Sequence, residues 1–198
     1  MAADLAALEA AGDEVTACRV YQWNEPWVTL GRFQRPERDV VSGFSNWIKR
    51  PTGGKAVLHG HDLTVGLAMP LFTDRRSVRG AYQQAVSPLV GALRACGLEA
   101  ELATVGDASG ARERTADCFA ASSGCDVVAA DGNKVCGCAL LIRGNLVLLQ
   151  ASVPYKAPLV APGLAITGAS ERRLKLWRHE DFASALESTL SQALSQRV

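Results

Sequence analysis

Four places in the chain bring together residue types that can do chemistry. The run Lys49-Arg50-Pro51-Thr52-Gly53-Gly54-Lys55 sets adjacent glycines among cations. Adjacent glycines let backbone N–H groups approach an anion or an acyl chain closely, and the flanking cations favour a phosphate. An ordinary tight turn has the same composition, and the G-x-x-x-x-G-K-[ST] spacing of a P-loop is absent. His59 follows, with His61 two residues beyond it. Alone, the first reads more readily as a packed or hydrogen-bonded histidine than as a catalyst, and the second as a solvated turn residue. Cys118 stands at the edge of a polar loop, before Phe119-Ala120-Ala121-Ser122-Ser123. A thiol there is reactive if a nearby cation stabilises its thiolate, and inert if it is only a small buried residue. Lys134 follows a hairpin turn and enters a strand, an uncommon place for lysine unless it faces solvent.

These side chains need elements to position them. Residues 1–11, rich in Ala, Leu and Glu, predict a helix ending near Gly12. Residues 15–23 alternate apolar and polar types and predict a strand; 28–30 continue the sheet toward Gly31. Residues 34–46 show little periodicity beyond a short element at Val40 and Val41, and 49–55 form a turn-rich loop. Residues 56–59 and 63–68 are apolar runs that predict two strands joined by a tight connection. A helix is expected over 78–96 despite Pro88, with Gly97 as its stop. A strand follows over 98–105, then a mobile loop over 106–114. Three strands are expected over 126–130, 134–143 and 145–153, with Asp131-Gly132 and Gly144-Asn145 as hairpin turns. Residues 154–162 carry three prolines and predict a loop, and 179–195 predict a final helix.

The 198 residues suffice for one α/β domain, and 48% hydrophobic content supports a core. The net charge of +1, from 21 basic and 20 acidic residues, gives no sign of nucleic-acid binding. No apolar run reaches the roughly 18 residues of a membrane helix, and the acidic start lacks the basic region of a signal peptide. Cys18, Cys96, Cys118, Cys125, Cys136 and Cys138 match no zinc spacing. Unpaired thiols fit a cytoplasmic chain better than a disulfide framework.

Taken in order, these segments resemble a known family. Arg50-Pro51-Thr52-Gly53-Gly54-Lys55-Ala56-Val57-Leu58-His59, followed by Asp62-Leu63-Thr64, resembles the R-x-x-G-G-x-A-V-x-H signature of lipoate–protein ligases and octanoyltransferases. These belong to the biotin/lipoate ligase and acyltransferase family. Upstream, Gly31-Arg32-Phe33-Gln34 is similar to its G-R-x-Q strand end, and Met1-Ala2-Ala3-Asp4 to the start of its first helix. Downstream, Cys118-Phe119 with Asp126-Val127-Val128 resembles its C-F…D-L-V segment, and Gly132-Asn133-Lys134-Val135-Cys136-Gly137-Cys138-Ala139 its G-x-K-x-x-G-S-A block. Leu148-Leu149-Gln150-Ala151-Ser152 stands where the family has L-Q-H-G-S. Lys49, Cys138, Leu140 and Ala151 depart from the family pattern, and no biotin-ligase G-R-G-R-x-G motif is present.

The resemblance implies an α/β (α+β) fold over 1–198, with a central mixed sheet flanked by helices and a narrow acyl tunnel. A preceding family strand would lie before residue 1. It implies that Arg50, Gly53, Gly54, Lys55, His59, Asp126 and Gly137 bind substrate, and that Lys134 binds the carbonyl or phosphate oxygens of the acyl donor. The Cys118-Phe119 pair and Lys55 resemble the cysteine-dependent octanoyltransferase branch, in which Cys118 carries the acyl group as a thioester. That branch needs no cofactor; a ligase would need ATP and magnesium, and a non-catalytic member would only bind. The implied acceptor is a lipoyl-domain or glycine-cleavage carrier protein, with an acyl carrier protein as a further partner, and neither nucleic acid nor membrane. Arg172, Arg173, Lys175 and Arg178 could steer an acidic partner.

Overall fold

A computed structural model describes residues 2–10, 16–72, 77–103, 115–171, 174–175 and 177–195. The loop expected over 106–114, and Arg172 and Arg173, lie outside the described residues.

Two neighbouring strands set the architecture. β5 (Asp62–Pro70) and β9 (Leu146–Pro154) pair antiparallel in the middle of a six-stranded sheet. Its order is β1-β5-β9-β8-β7-β6, where β1 is Ala17–Tyr21, β6 Glu101–Leu102, β7 Val127–Val128 and β8 Lys134–Arg143. Every pairing in this sheet is antiparallel. The mixed pairing expected of the central sheet occurs instead in a second, three-stranded sheet. There β2 (Val28–Leu30) runs parallel to β3 (Trp47–Lys49) and antiparallel to β4 (Val57–Leu58).

Side-chain alternation divides the large sheet into two different faces. Leu63, Val65, Leu67 and Met69 of β5, with Val147, Leu149, Ala151 and Val153 of β9, build the main core with the helices. Those are α3 (Val78–Ala95) and α4 (Phe182–Ser195). The opposite face carries Asp62 and Thr64 on β5 and Gln150 and Ser152 on β9, all buried. It is covered at one end by α1 (Ala2–Ala10), where Leu8 meets Ala68 and Leu148. The small sheet brings its own core of Val28, Leu30 and Leu58.

The ends of elements follow local chemistry. Ser77 caps α3 by accepting from Gly80 N, and Gly97 at φ +84° ends it. Pro88 is accommodated inside the helix, and its carbonyl accepts from Thr189 Oγ1 of α4 at 2.8 Å. Gly144, at φ +59°, makes the tight turn between β8 and β9. Residues 56–59 and 63–68 do form strands, but the sharp connection at Gly60 (φ +103°) passes the chain from one sheet to the other rather than making a hairpin. Of the strand expected over 98–105, residues 104 and 105 lie outside the described residues; within 98–103 the strand is Glu101–Leu102, whose partner β7 is short and shifts register against β8. A short helix, α2 (Pro36–Asp39), precedes Val40, which bridges to Ile166. The final helix begins as a 3-10 turn over His179–Asp181. Among the described residues no helix is long and apolar enough to cross a membrane.

Phe182 is fully buried and joins α4 to the main core, edge-on to Trp177 at 5.5 Å. Phe182→Ala should lower unfolding free energy by about 3–5 kcal/mol, measured by urea denaturation. A loss under about 1 kcal/mol would show that α4 docks by other means.

Candidate active site

Cys118 opens a 3-10 turn (Cys118–Ala120) whose cap is Asp117, accepting from Phe119 N at 3.1 Å. The segment is held edge-on to the start of β4. Ala56 N donates to Ala116 O, and Cys118 N donates to Ala56 O, both at 2.8 Å. The thiol is therefore fixed to the end of the di-glycine loop, 62 residues earlier in sequence at Ala56 (118 − 56).

Lys134, the first residue of β8, reaches this thiol. Its Nζ donates to Cys118 O at 2.7 Å and to Cys118 Sγ at 3.3 Å, and pairs with Asp126 Oδ1 at 2.9 Å. Asp126 Oδ2 in turn accepts from Ser123 N and Oγ. Only 5% of the Lys134 side chain meets solvent. Burial alone would lower its pKa, but attraction to Cys118 and Asp126 and the hydrogen bonds to both outweigh this and raise it. The ammonium thus stays charged across the neutral range. Gly137 makes room beside it: a methyl there would lie 3.4 Å from Cys118 Sγ and 3.3 Å from the Phe119 ring.

The di-glycine loop is built around Arg50. Its Nε donates to Thr52 Oγ1, Nη1 to the Thr29 carbonyl and, more weakly, the Thr29 hydroxyl, and Nη2 to the carbonyls of Gly53 and Lys55. All five guanidinium donors are spent on the chain, so Arg50 shapes the loop. Burial pulls its pKa down against the attraction of neighbouring Cys118. Gly31 meets the same loop so closely that a methyl on it would come 1.9 Å from Gly54 O. Gln34 locks this turn, accepting from Gly31 N and donating to Ala116 O.

Between this loop and the polar face of the large sheet runs a narrow crevice. Cys118 and Gly137 stand at one part of it, Val57, Ala139 and Ala151 give it apolar walls, and Arg50, His59 and Gln150 also line it. His59 sits in a buried network. Its Nδ1 is 2.8 Å from Asp62 Oδ2 and its Nε2 2.8 Å from Thr29 Oγ1, while Trp23 stacks on the ring at 4.7 Å. Asp62 Oδ2 also accepts from Ser152 Oγ at 2.6 Å and Thr64 Oγ1 at 3.1 Å. Burial would raise the Asp62 pKa, but His59 and the hydrogen bond from Ser152 prevail and hold it below the ordinary carboxylate range. On the other side of Phe119 and Lys134 lies a wider groove of about 400 Å³.

Cys118, Lys134, Asp126 and Gly137 thus converge directly, and Arg50 and His59 line the adjoining crevice. Gly54, at φ +86°, touches that crevice through Ala139, 3.8 Å from where its Cβ would be. A methyl on Gly53 would meet nothing within 4 Å, and Lys55 is half-buried at the loop's end with its carbonyl on Arg50. Sequence reasoning did not single out Thr29, Gln150 and Asp4 as site residues. Gln150 links Thr52 Oγ1 (2.9 Å) to Asp4 Oδ2 (2.8 Å), and Asp4 also takes Arg19 Nη1 at 2.6 Å. The available signal was the alternation of polar residues, Asp62 with Thr64 and Gln150 with Ser152, inside two otherwise apolar strands.

The two loop glycines and Gly31 make opposite predictions. Gly31→Ala should destabilise the chain by about 2–3 kcal/mol in denaturant unfolding, because backbone rather than a flexible side chain is in the way. Gly53→Ala meets nothing within 4 Å and should leave stability within about 0.5 kcal/mol. Equal unfolding midpoints for the two variants would mean that the close approach at Gly54 is not present in solution.

Residues 1–183 match the lipoyl protein ligase A/B catalytic domain. An octanoyltransferase LipM of Bacillus cereus is 31% identical over 152 residues, 71% of this chain and 54% of that protein. The chain therefore spans about half the length of the curated relatives it matches. The fold is similar to that of a lipoate-protein ligase A solved with ATP (TM-score 0.76, 21% identity, covering 97% of this chain and 78% of that one). It is also similar to that of an archaeal bi-partite lipoate protein ligase, from a study of that ligase and its E2 lipoyl domain in Thermoplasma acidophilum (TM-score 0.71, 20% identity, covering 97% and 76%). With the motif order, the fold and the thiol–lysine pair in agreement, this chain belongs to the lipoyl protein ligase A/B catalytic domain family.

Proposed function

We propose that this chain transfers an octanoyl or lipoyl group to a lysine of a lipoyl-carrier protein through a thioester on Cys118. The observation that carries the reading is the Lys134 ammonium, 3.3 Å from Cys118 Sγ and fixed by Asp126. The Cys118 sulfur attacks the carbonyl of a donor thioester. A new C–S bond forms, the donor C–S bond breaks, and the departing thiolate takes up the proton that Cys118 gave up. The neutral acceptor lysine amine then attacks the acyl-cysteine: a C–N bond forms, the Cys118 C–S bond breaks, and the proton the amine loses restores the Cys118 thiol for the next cycle.

In both half-reactions negative charge develops on the carbonyl oxygen and on sulfur: on the attacking Cys118 sulfur before the first addition, and on the leaving sulfur after each. A buried ammonium that already donates to the sulfur stabilises the charge there and lies close enough to stabilise it on the neighbouring carbonyl oxygen. The acyl chain fills the crevice lined by Val57, Ala139 and Ala151, with the di-glycine loop and His59 beside it. Supporting the substrate class are the octanoyltransferase relative and the lipoate ligase fold. A lipoyl domain is the acceptor, whether of a dehydrogenase complex or the glycine-cleavage carrier, and an acyl carrier protein is the donor. The reaction draws on no ATP, and a reducing cytoplasm keeps the nucleophile free.

The test is intact-mass measurement of the chain and a lipoyl-domain acceptor after mixing with an octanoyl thioester, and separately with lipoate, ATP and magnesium. The expected result is an octanoyl adduct on the chain that is absent in Cys118→Ala, with acceptor modified in the absence of ATP. Lys134→Met should slow adduct formation by about 10²–10³-fold. Acceptor modified only with ATP, at a rate indifferent to Cys118→Ala, would assign ligase chemistry instead.

A further inference from the structure

A thioester has two limbs, and the crevice accounts for only one. With the carbonyl carbon at Cys118 Sγ and the acyl limb in the narrow crevice, the limb bearing the leaving thiol needs a second space beside the thiol. The wide groove is placed for this. Phe119 and Lys134 form part of its lining, and both touch the thiol's surroundings: Lys134 through its hydrogen bonds to Cys118, Phe119 as the next residue. Gly137, against which both Cys118 Sγ and the Phe119 ring lie, marks where the two cavities approach.

The lining indicates what limb would fit. Leu98, Pro154, Pro158 and Leu174 supply apolar wall, and Lys134, Lys156 and Lys175 stand against one carboxylate, Glu171. Lys134 is committed to Asp126 and Cys118, and Lys175 to Asp131 at 2.5 Å. Lys156 lies 5.3 Å from the centre of the Tyr155 ring, is exposed, and makes no ion pair among the described residues. A volume of about 400 Å³ is that of a small-molecule site. A slim, mostly uncharged arm that ends in a phosphate matches this lining: apolar walls, and an exposed cation with no ion pair among the described residues.

We propose that the groove beside Phe119 and Lys134 binds the phosphate-ended, pantetheine-type arm of the acyl donor, with Lys156 as the phosphate contact. The proposal rests on the acyl-transfer reading for the nature of the donor, but its test does not. The probe is the amide analogue of octanoyl-phosphopantetheine, in which nitrogen replaces the thioester sulfur, compared with the same analogue lacking its phosphate. Both are titrated calorimetrically into the full chain. An amide cannot acylate the thiol under these conditions, so the result stands whether or not Cys118 is the nucleophile.

The phosphorylated analogue should bind about ten-fold more tightly, as one charge-assisted phosphate contact supplies. Lys156→Glu should remove that preference. Arg143→Glu, a reversal of a cation paired with Glu9 and not part of the groove lining, should retain it. Equal affinities, no measurable binding of the phosphorylated analogue, or a preference that survives Lys156→Glu each overturn the proposal. AMP binding that depends on Lys156, with no preference between the two analogues, overturns it in favour of a nucleotide.

Discussion

A positive charge with almost no access to water sits beside the thiol, and the surrounding structure keeps it there. An unpaired ammonium in such a place would cost several kcal/mol and would shed its proton instead. Lys134 keeps its charge because Asp126 is equally buried and close, and because the Cys118 carbonyl and sulfur take its remaining donors. Asp126 in turn is oriented by two hydrogen bonds from Ser123. Such a pair need not add net stability, since replacing both members with apolar residues is often neutral. What a fixed, dry cation beside a thiol does supply is stabilisation of developing negative charge.

The large sheet makes this arrangement affordable by separating its duties. On β5 and β9 one face is wholly aliphatic and joins α3 and α4 in the main core. The other face carries Asp62, Thr64, Gln150 and Ser152, buried but hydrogen-bonded. The small sheet and the di-glycine loop close over that polar face without filling it, leaving the crevice. The loop holds its shape because Arg50 satisfies carbonyls that would otherwise be buried without partners. Gly31 permits the close approach of the two segments.

Much of this was legible in the sequence, and the reasons are local. Strand-like segments flanking the Gly144-Asn145 turn located β8 and β9, and helical periodicity with Gly97 located α3. The motif order brought Cys118, Lys134, Asp126 and Gly137 together before any coordinates did. Sheet membership was not legible, since nothing local in Ala56-Val57-Leu58 says that β4 pairs with β2 while β5 pairs with β9. Nor was the role of Arg50 legible: a conspicuous arginine beside two glycines suggests a ligand contact, whereas its donors turn inward. The polar residues of β5 and β9 were visible, but without the fold they could equally have faced solvent.

Environment, more than number, decides which of the six thiols is suited to act. Burial raises Cys18 to about 11 and also raises Cys96 and Cys125. Cys138 is held well above the usual thiol range by its hydrogen bond with Cys136 and by burial, even though Lys134 pulls the other way. These four therefore remain protonated at neutral pH, and Cys96, the buried one, serves as a small packing residue. Cys118 alone among the described cysteines has a lysine ammonium within hydrogen-bonding distance of its sulfur. It also sits beside a glycine whose missing side chain leaves room at that atom. β8 supplies both conditions, Lys134 at its start and Gly137 beside the sulfur, and it also places Cys136 Sγ 3.6 Å from Cys138 Sγ. The strand that delivers the charge to one thiol thus also holds a neighbouring one in its neutral form.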